Sequence, residues 1–152
     1  MTSPQFRRAT AADLPAIVAL LADDPLGAAR EDTTIPLNQR YLAAFAALDA
    51  DPNQLLAVVV DDDAVIGCLQ LSFIPGLSRT GMWRGQVESV RIHREHRGGG
   101  LGQAMFTWAI DTCRARGCDL VQLTTDRARP DALRFYERLG FTASHIGMKL
   151  EL

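Results

Sequence analysis

The sequence predicts one α/β (α+β) domain with a single mixed β-sheet flanked by helices. Segments with helical apolar spacing alternate with short β-branched runs in the order β-α-α-β-β-β-α-β-α-β. A glycine-dense turn joins one strand directly to the longest helix. The chain has 152 residues, the length of one domain, and it contains no repeat, low-complexity tract or linker. We therefore expect residues 1–152 to form a single domain.

Apolar spacing and turn residues predict ten elements. They are a strand at 6–9, helices at 11–21 and 37–48, strands at 55–60, 64–74 and 86–93, a helix from 101 to about 116, a strand at 119–125, a helix from Pro130 to Gly140, and a strand at 141–150. Thr10 and Gly117 suit the cap positions at a helix start and just past a helix end. Residues 23–32 and 75–84 are predicted loops. In the strand at 64–74, Leu69, Leu71 and Phe73 share one face.

The longest helix should bury one apolar stripe against the sheet. The stripe is predicted to consist of Leu101, Met105, Trp108, Ala109 and Thr112.

Composition excludes some classes of protein. A net charge of −2 and a pI near 5.9 argue against a general nucleic-acid binder. No apolar run approaches the roughly 18 residues that span a bilayer, and the first residues lack a signal-peptide pattern. We therefore expect a cytoplasmic protein without nucleic-acid or membrane partners.

The cysteines indicate neither a disulfide framework nor a metal site. Cys68, Cys113 and Cys118 are odd in number, and the last two stand five apart, unlike a C-x-x-C pair. We expect buried or half-buried free thiols and no metal ligand set.

Residues 97–102, here called the glycine turn, have the composition of a phosphate-binding turn. Four glycines follow a strand and open a helix, and they are Gly98, Gly99, Gly100 and Gly102. The first amides of a helix lack intrahelical partners and carry partial positive charge. Glycines let the backbone approach a ligand closely. The alternative is a tight turn without a ligand.

Two familiar phosphate loops do not fit the glycine turn. A P-loop ends in Gly-Lys-Ser/Thr, whereas Gly102 is followed by Gln103 and Ala104. The dinucleotide fingerprint G-x-G-x-x-G fails because its last position falls on Gln103 or Met105.

Three segments resemble the GNAT superfamily of N-acetyltransferases. The glycine turn, Arg97-Gly98-Gly99-Gly100-Leu101-Gly102, matches the R/Q-x-x-G-x-G/A loop of that family. Residues 87–93 (VESVRIH) resemble the strand before the loop, and residues 132–141 (ALRFYERLGF) resemble the closing A-x-x-F-Y-x-x-x-GF segment. The strong match covers roughly residues 86–141. The three motifs in this order, at family spacing, are highly specific.

The resemblance implies an acyl-CoA N-acyltransferase fold and acetyl-CoA as co-substrate. Backbone amides of the glycine turn, from Arg97 to Gly102, would hold the pyrophosphate of coenzyme A. Val90 and Ile92 would pair their backbone with the pantetheine arm, and Arg91 belongs to the same cofactor-binding stretch. Tyr136 would place its hydroxyl near the thioester sulfur.

Acetyl transfer to an amine needs a base, a stabilised oxyanion and an acid for the leaving thiolate. Glu88 is the predicted base, because two-residue spacing places it on the strand face of Val90 and Ile92, where burial would raise its pKa. His93 is the alternative base, on the opposite face by the same count. Tyr136 is the predicted acid. The resemblance further implies a backbone N–H near Val90 as the oxyanion donor.

Arg129 departs from the family pattern. Many members carry Asn seven residues before the tyrosine, and Arg129 occupies that place here. Its guanidinium is predicted to contact a phosphate of coenzyme A.

The acceptor should be selected by the N-terminal half, where the resemblance is weakest. Acidic side chains there could attract a cationic amine or form a solvated loop, and they are Asp23, Asp24, Glu31 and Asp32. Trp83 could line the acceptor pocket or belong to the core. A polyamine, an aminoglycoside, an amino acid, a protein N-terminus and a xenobiotic amine all remain open.

The leading functional prediction is direct acetyl transfer from acetyl-CoA to the primary amine of a small molecule. The alternatives are a non-catalytic acyl-CoA sensor or partner domain, a different nucleotide-binding protein, and a protein N-terminal or lysine acetyltransferase. A homodimer through the strand at 141–150 is also plausible.

Overall fold

The computed structural model describes residues 3–152 and contains one five-stranded sheet in the order β1-β2-β3-β4-β5. The strands are β1 (Gln5–Arg8), β2 (Gln54–Asp61), β3 (Ala64–Pro75), β4 (Trp83–Ile92) and β5 (Leu120–Gln122). The helices are α1 (Leu14–Ala22), α2 (Pro25–Arg30), α3 (Gln39–Ala50), α4 (Ser78–Gly81), α5 (Leu101–Ala115) and α6 (Pro130–Arg138). Short 3-10 turns, Ala11–Asp13 and Arg94–His96, precede α1 and follow β4. The predicted fold class, a mixed sheet flanked by helices, is confirmed.

Strands β1 to β4 are antiparallel neighbours, and β5 joins β4 in parallel. Alternation along β3 divides the core between the two sheet faces. Leu69, Leu71 and Phe73 lie in the cluster that contains α5, whereas Cys68 lies in the cluster that contains α1. The face predicted for the three β3 residues is confirmed. Among residues 3–152, no helix is both long and apolar enough to cross a membrane.

The buried face of α5 differs from the predicted stripe. Its buried residues are Met105, Phe106, Ala109 and Cys113. Trp108 and Thr112 are only half-buried, and Trp108 stacks on Phe6 with ring centroids 5.3 Å apart. At Gly85 of β4, an added Cβ would come within 2.4 Å of the Cys113 Sγ. The helix therefore approaches the sheet through Cys113, which rotates the buried face away from the predicted one.

Residues 23–32, predicted as a loop, contain the short helix α2. Pro25 stands at its first position, where a missing N–H costs nothing. The Asp24 carboxylate caps the helix by accepting a hydrogen bond from the Gly27 amide at 2.5 Å.

The strand predicted at residues 141–150 is wrong for this chain. Residues 141–152 contain no strand, and Ile146 and Met148 are 79% and 91% exposed. A strand needs a hydrogen-bonding partner as well as an alternating pattern. Here the pattern is present and the partner strand is not among the described residues.

A β-bulge interrupts β4. Glu88 pairs with Gln70 and Arg91 with Cys68, so two residues, Ser89 and Val90, stand opposite a single residue of β3. Ser89 takes the left-handed conformation, with φ of 55°. The extra residue exchanges the two faces of β4 beyond the bulge.

Strand β4 separates from β5 after a short parallel stretch. The two strands pair at three positions, ending with Gln86 opposite Gln122. From Val87 to Ile92, β4 has no described strand on that side. This unpaired edge of β4, here called the gap beside β4, runs toward the glycine turn that follows the strand.

Candidate active site

The glycine turn lies between β4 and α5, as predicted. Gly98 and Gly100 have φ of 79° and 87°, and Gly100 caps α5. An added Cβ at Gly98, Gly99 or Gly100 would meet no atom within 4 Å. The turn's backbone therefore faces open space, and the first amides of α5 lack intrahelical acceptors. This arrangement can bind a phosphate group.

Arg97 ties the glycine turn to the end of α1. Its Nε donates to the Ile92 carbonyl at 3.0 Å, and its Nη2 donates to the Asp23 carboxylate at 3.3 Å. Arg94 binds the same carboxylate. These contacts, led by the Arg94 hydrogen bond, lower the pKa of Asp23. Asp23 thus fixes the start of the turn against the N-terminal half of the chain.

The neighbouring aspartate forms a second cluster, here called the Asp24 cluster, with Arg91 and Arg129. Its carboxylate lies 2.7 Å from Arg129 Nη2 and 3.6 Å from Arg91 Nε. The three side chains are 19–30% exposed. Although burial opposes it, the Gly27 hydrogen bond and the two guanidinium charges lower the pKa of Asp24. Two cations share one carboxylate, so one positive charge stays unbalanced within the cluster.

The Nε–H group of Arg91 makes no hydrogen bond within the Asp24 cluster. Its Nη1 donates to the Val90 carbonyl at 2.9 Å. Its Nε is buried without a hydrogen-bond partner among residues 3–152. The Asp24 carboxylate, 3.6 Å away, is within ion-pair distance but too far for a hydrogen bond. A buried donor without a hydrogen bond carries a desolvation cost, which a closer acceptor would remove.

Tyr136 lies where α6 packs against α5. Its ring meets Phe106, Phe135 and Phe141 edge to face, with centroids 5.3 to 6.1 Å apart. Burial raises the pKa of Tyr136, and the charges of Arg129 and Arg91 partly offset that effect. The hydroxyl therefore keeps its proton at neutral pH, and Tyr136 lies close enough to the Asp24 cluster for the charges of Arg129 and Arg91 to act on it.

The structure corrects the predicted position of Glu88. Glu88 and Arg91 pair with Gln70 and Cys68, and both therefore lie on the sheet face toward α1. Val90 and Ile92 pack in the cluster with α5 on the opposite face. The bulge causes this difference, because it adds one residue to β4 and so reverses the alternation of side chains beyond Ser89. Glu88 is also exposed, so the burial on which its prediction relied is absent.

His93 lies on the same sheet face as Glu88, because the bulge shifts the alternation of side chains between them. It lines a cleft beside α1 together with Asp23 and Val65. Its Nδ1 accepts a hydrogen bond from the Glu95 amide at 3.3 Å. His93 thus lies near Asp23 at the glycine-turn end of β4.

The acidic side chains expected to attract an amine are already engaged. Asp23 and Asp24 are each held by two arginines. Glu31 accepts a hydrogen bond from the Tyr41 hydroxyl at 2.6 Å, and Asp32 accepts one from the Thr34 amide at 3.0 Å. The arginines balance the charges of Asp23 and Asp24, whereas neutral donors leave those of Glu31 and Asp32 in place, so attraction of a cationic amine by the latter two stays a prediction.

The structure also gives the surroundings of Trp83 and of the three cysteines. Trp83 is half-buried at the start of β4, opposite Pro75, and packs against the α5 core. Cys68 and Cys113 are buried free thiols and Cys118 is half-buried, as expected. Burial raises the pKa of Cys68 to about 12.

Sequence reasoning missed the Asp24 cluster and the bulge. Asp24 precedes a proline, and Asp-Pro at the start of a helix is a capping signal that could have indicated α2. No sequence pattern indicated the bulge, because its left-handed residue is Ser89 and not the glycine that usually takes this conformation.

The paired, then separated, strands and the glycine turn together define an N-acyltransferase fold. A model of the Acetyltransferase (GNAT) family matches residues 15–141. The chain therefore belongs to this family and is a GNAT N-acetyltransferase, a family whose fold uses acetyl-CoA.

Two curated relatives agree with this membership, and a solved structure shares the fold. An aminoalkylphosphonate N-acetyltransferase of Salmonella typhimurium is 31% identical over 70% of this chain and 69% of its own length. An L-methionine sulfoximine/L-methionine sulfone acetyltransferase of Pseudomonas paraeruginosa is 30% identical over 93% of this chain and 82% of its own. The crystal structure of a transcriptional regulator from Bacillus halodurans C-125 is 46% identical, with a TM-score of 0.96 over 99% of this chain and 100% of that one.

Proposed function

We propose that this chain transfers the acetyl group of acetyl-CoA directly to the primary amine of a small molecule that also carries a negatively charged group. The unbalanced positive charge of the Asp24 cluster, close to Tyr136, carries this proposal. A cationic amine without an anionic group would gain nothing from two arginines. An anionic group would supply the acceptor that the buried Arg91 Nε lacks.

The glycine turn and the gap beside β4 are the proposed binding site of acetyl-CoA. Backbone amides at the start of α5 bind the pyrophosphate, because they are open and aligned with the helix dipole. The unpaired edge of β4 at Val90 and Ile92 accepts the pantetheine arm as an added strand. Arg129, which binds Asp24, is assigned to the acceptor instead of to a cofactor phosphate.

Three groups of this chain carry out the proposed chemistry on a thioester that acetyl-CoA supplies in activated form. Glu88, on the sheet face of Arg91, takes the proton of the ammonium through water and leaves a neutral amine. A backbone N–H at the bulge near Val90 stabilises the negative charge that develops on the thioester oxygen. The neutral amine attacks the thioester carbon, and its nitrogen becomes positively charged as the carbon–nitrogen bond forms. When the carbon–sulfur bond breaks, Tyr136 gives its proton to sulfur, and the nitrogen releases its second proton, which restores Tyr136. The products are an acetamide and the free thiol of coenzyme A.

The named acceptors of two relatives support the proposed acceptor class. An aminoalkylphosphonate and L-methionine sulfoximine each combine an amine with a phosphonate or a carboxylate. Arg is well suited to such groups, because its planar guanidinium can donate two parallel hydrogen bonds.

A cytoplasmic location and independence from metal ions complete the proposal. The free thiols at Cys68, Cys113 and Cys118 suit a reducing compartment. The proposed steps require only side chains and backbone amides.

Thiol release with matched amines tests the function. Each pair consists of an anionic acceptor and its counterpart without the anionic group, such as 2-aminoethylphosphonate with ethylamine and β-alanine with ethylamine. We expect kcat/KM to be at least about tenfold higher for the anionic member, since a hydrogen bond to a charged group contributes about 1.5–3 kcal/mol. Arg129→Gln should remove most of this preference.

Arg134→Gln is the matched control, because Arg134 is an exposed arginine of α6 that pairs with Asp131. It should leave the preference intact. Equal rates for both members of each pair would refute the anionic acceptor and leave the acetyltransferase standing. Saturable acetyl-CoA binding without turnover of any amine would instead favour the sensor alternative.

A further inference from the structure

The Asp24 cluster brings two positive charges to a single carboxylate oxygen. The Asp24 Oδ2 lies 2.7 Å from Arg129 Nη2 and 3.6 Å from Arg91 Nε. Both guanidinium groups stay charged at any working pH. The pKa of Asp24 is lowered, so its carboxylate is ionised at neutral pH. The cluster therefore presents one net positive charge, and without Asp24 it would present two.

Asp24 is held in place by the helix that it begins. Its Oδ1 accepts a hydrogen bond from the Gly27 amide at 2.5 Å, and Pro25 follows it at the first position of α2. The Asp24 side chain is 19% exposed, and charges that are partly buried are screened less by salt than exposed ones. Both carboxylate oxygens have partners, so the negative charge is a built part of the site.

The charges around the cluster do not alter this count. Arg30 and Asp126 form an ion pair at 3.7 Å and neutralise each other, with 59% and 44% of their side chains exposed. The arginines bound to Asp23 lie at or next to the glycine turn, where the diphosphate is proposed to bind. Glu88, on the sheet face of Arg91, is assigned to the ammonium of the acceptor. An anionic group of the acceptor therefore meets one uncompensated positive charge.

We propose that Asp24 makes this enzyme selective for acceptors whose anionic group carries one negative charge, such as a carboxylate or a sulfonate, over acceptors whose group carries two. The inference rests on the proposed function and adds to it the charge of the acceptor and the residue that sets it. One negative charge neutralises the cluster. A second finds no cation of its own and is repelled by the Asp24 carboxylate, where the side chains are only 19–30% exposed.

Two acceptors of nearly the same shape separate one charge from two. The first, 2-aminoethanesulfonate, carries one negative charge at its tetrahedral end. The second, 2-aminoethylphosphonate, carries nearly two at pH 8.5, since the second pKa of a phosphoryl group is about 6. Thiol release at saturating acetyl-CoA gives kcat/KM for each. In the wild type we expect a value about tenfold higher for the sulfonate, because the two acceptors present the same amine and differ in charge.

Asp24→Asn removes the negative charge and keeps the helix cap, because Asn caps a helix as well as Asp does. The cluster then carries two positive charges. The ratio of kcat/KM should shift toward the phosphonate by at least about tenfold, and the shift should appear in KM and not in kcat. Adding Arg129→Gln to Asp24→Asn returns the count to one, so the ratio should return toward the sulfonate.

Asp126→Asn is the matched control. It removes one negative charge from the exposed pair with Arg30, and the new side chain can still accept the hydrogen bond of the Ala128 amide. The ratio should stay at its wild-type value.

Three results would each overturn the inference: a wild type that prefers the phosphonate, an unshifted ratio in Asp24→Asn, or a double variant that keeps the Asp24→Asn ratio. Where both anionic acceptors still react faster than ethylamine, the proposed function stands. Equal rates for ethylamine and both anionic acceptors would instead refute the proposed acceptor class, and the charge selectivity with it.

Discussion

At the scale of single residues, the surroundings of Tyr136 suit a proton donor. Three aromatic rings enclose it and burial raises its pKa, so the hydroxyl remains protonated through the neutral range. A group with a raised pKa loses its proton only above its ordinary value near 10. Ionisation of the Tyr136 hydroxyl should therefore not lower the rate between pH 6 and 9.

Replacing Tyr136 by Phe tests this role. We expect kcat to fall about a hundredfold, because a general acid contributes roughly 10²–10⁴-fold, while the Kd of acetyl-CoA changes little. Stopped assays of thiol release and calorimetric titration give the two quantities. Tyr41→Phe also removes a hydrogen-bonded hydroxyl, one that binds Glu31, and should keep kcat. Parallel losses in rate and affinity for Tyr136→Phe would make it a binding residue.

Asp13 shows how one residue joins β1 to α1. Both of its carboxylate oxygens accept hydrogen bonds from Arg7, at 2.7 and 2.9 Å, and one also accepts from the Thr10 amide at 2.7 Å. Chiefly because of Arg7, the pKa of Asp13 falls from 3.8 to about 2. Folding therefore gains from this carboxylate above about pH 4, and the gain disappears as the pH falls toward 2.

Asp13→Asn should lower the free energy of unfolding by about 1–2 kcal/mol at pH 7. The value is reduced for screening, since the Arg7 side chain is 43% exposed. Urea unfolding at pH 7 and near pH 2.5 should show the difference shrinking with acidity. Asp111→Asn, in the exposed pair with Arg114, should change stability by less than about 0.5 kcal/mol. A difference that persists at low pH would contradict the role of the charge.

At the scale of elements, helix α5 has similar glycines at both ends. Gly100 and Gly117 have φ of 87° and 82°, and an added Cβ at either would meet no atom within 4 Å. The two sites therefore share the same backbone requirement and the same free space. They differ in that only Gly100 lies in the glycine turn.

Gly100→Ala and Gly117→Ala should each destabilise the fold by about 1 kcal/mol, the cost of a left-handed residue that has a Cβ. Only Gly100→Ala should weaken acetyl-CoA binding, by about tenfold, because its methyl group occupies the face that the diphosphate approaches. Thermal unfolding and calorimetric titration check the two effects. Equal acetyl-CoA affinity in both variants would show that the diphosphate does not bind at this turn.

Local patterns predicted most elements of this chain but not all of them. The strands β2 and β3 and the helices α1, α3 and α5 were located from apolar spacing, although α3 has no fully buried residue. Helix α2 was missed because its six residues are too few for a periodic stripe and only its cap identifies it. The strand at 141–150 failed for the opposite reason, because its pattern is clear while pairing depends on a partner.

At the scale of the whole molecule, the candidate site joins distant parts of the chain. The glycine turn is contiguous in sequence, so its composition and position could be predicted. The Asp24 cluster combines the cap of α2, the end of β4 and the start of α6. Ion pairs across 67 and 105 positions have no signature in a single sequence, and the faces of β4 depended on an unpredicted bulge.

The bulge also makes β4 intolerant of changes in length. Removing one residue at Ser89 would turn the Arg91 guanidinium toward the aromatic rings beneath α5 and the Ile92 side chain toward α1. A charge enclosed in that way costs several kcal/mol. A one-residue insertion or deletion in this strand would therefore disrupt the packing of the α5 core and the charges of the Asp24 cluster together.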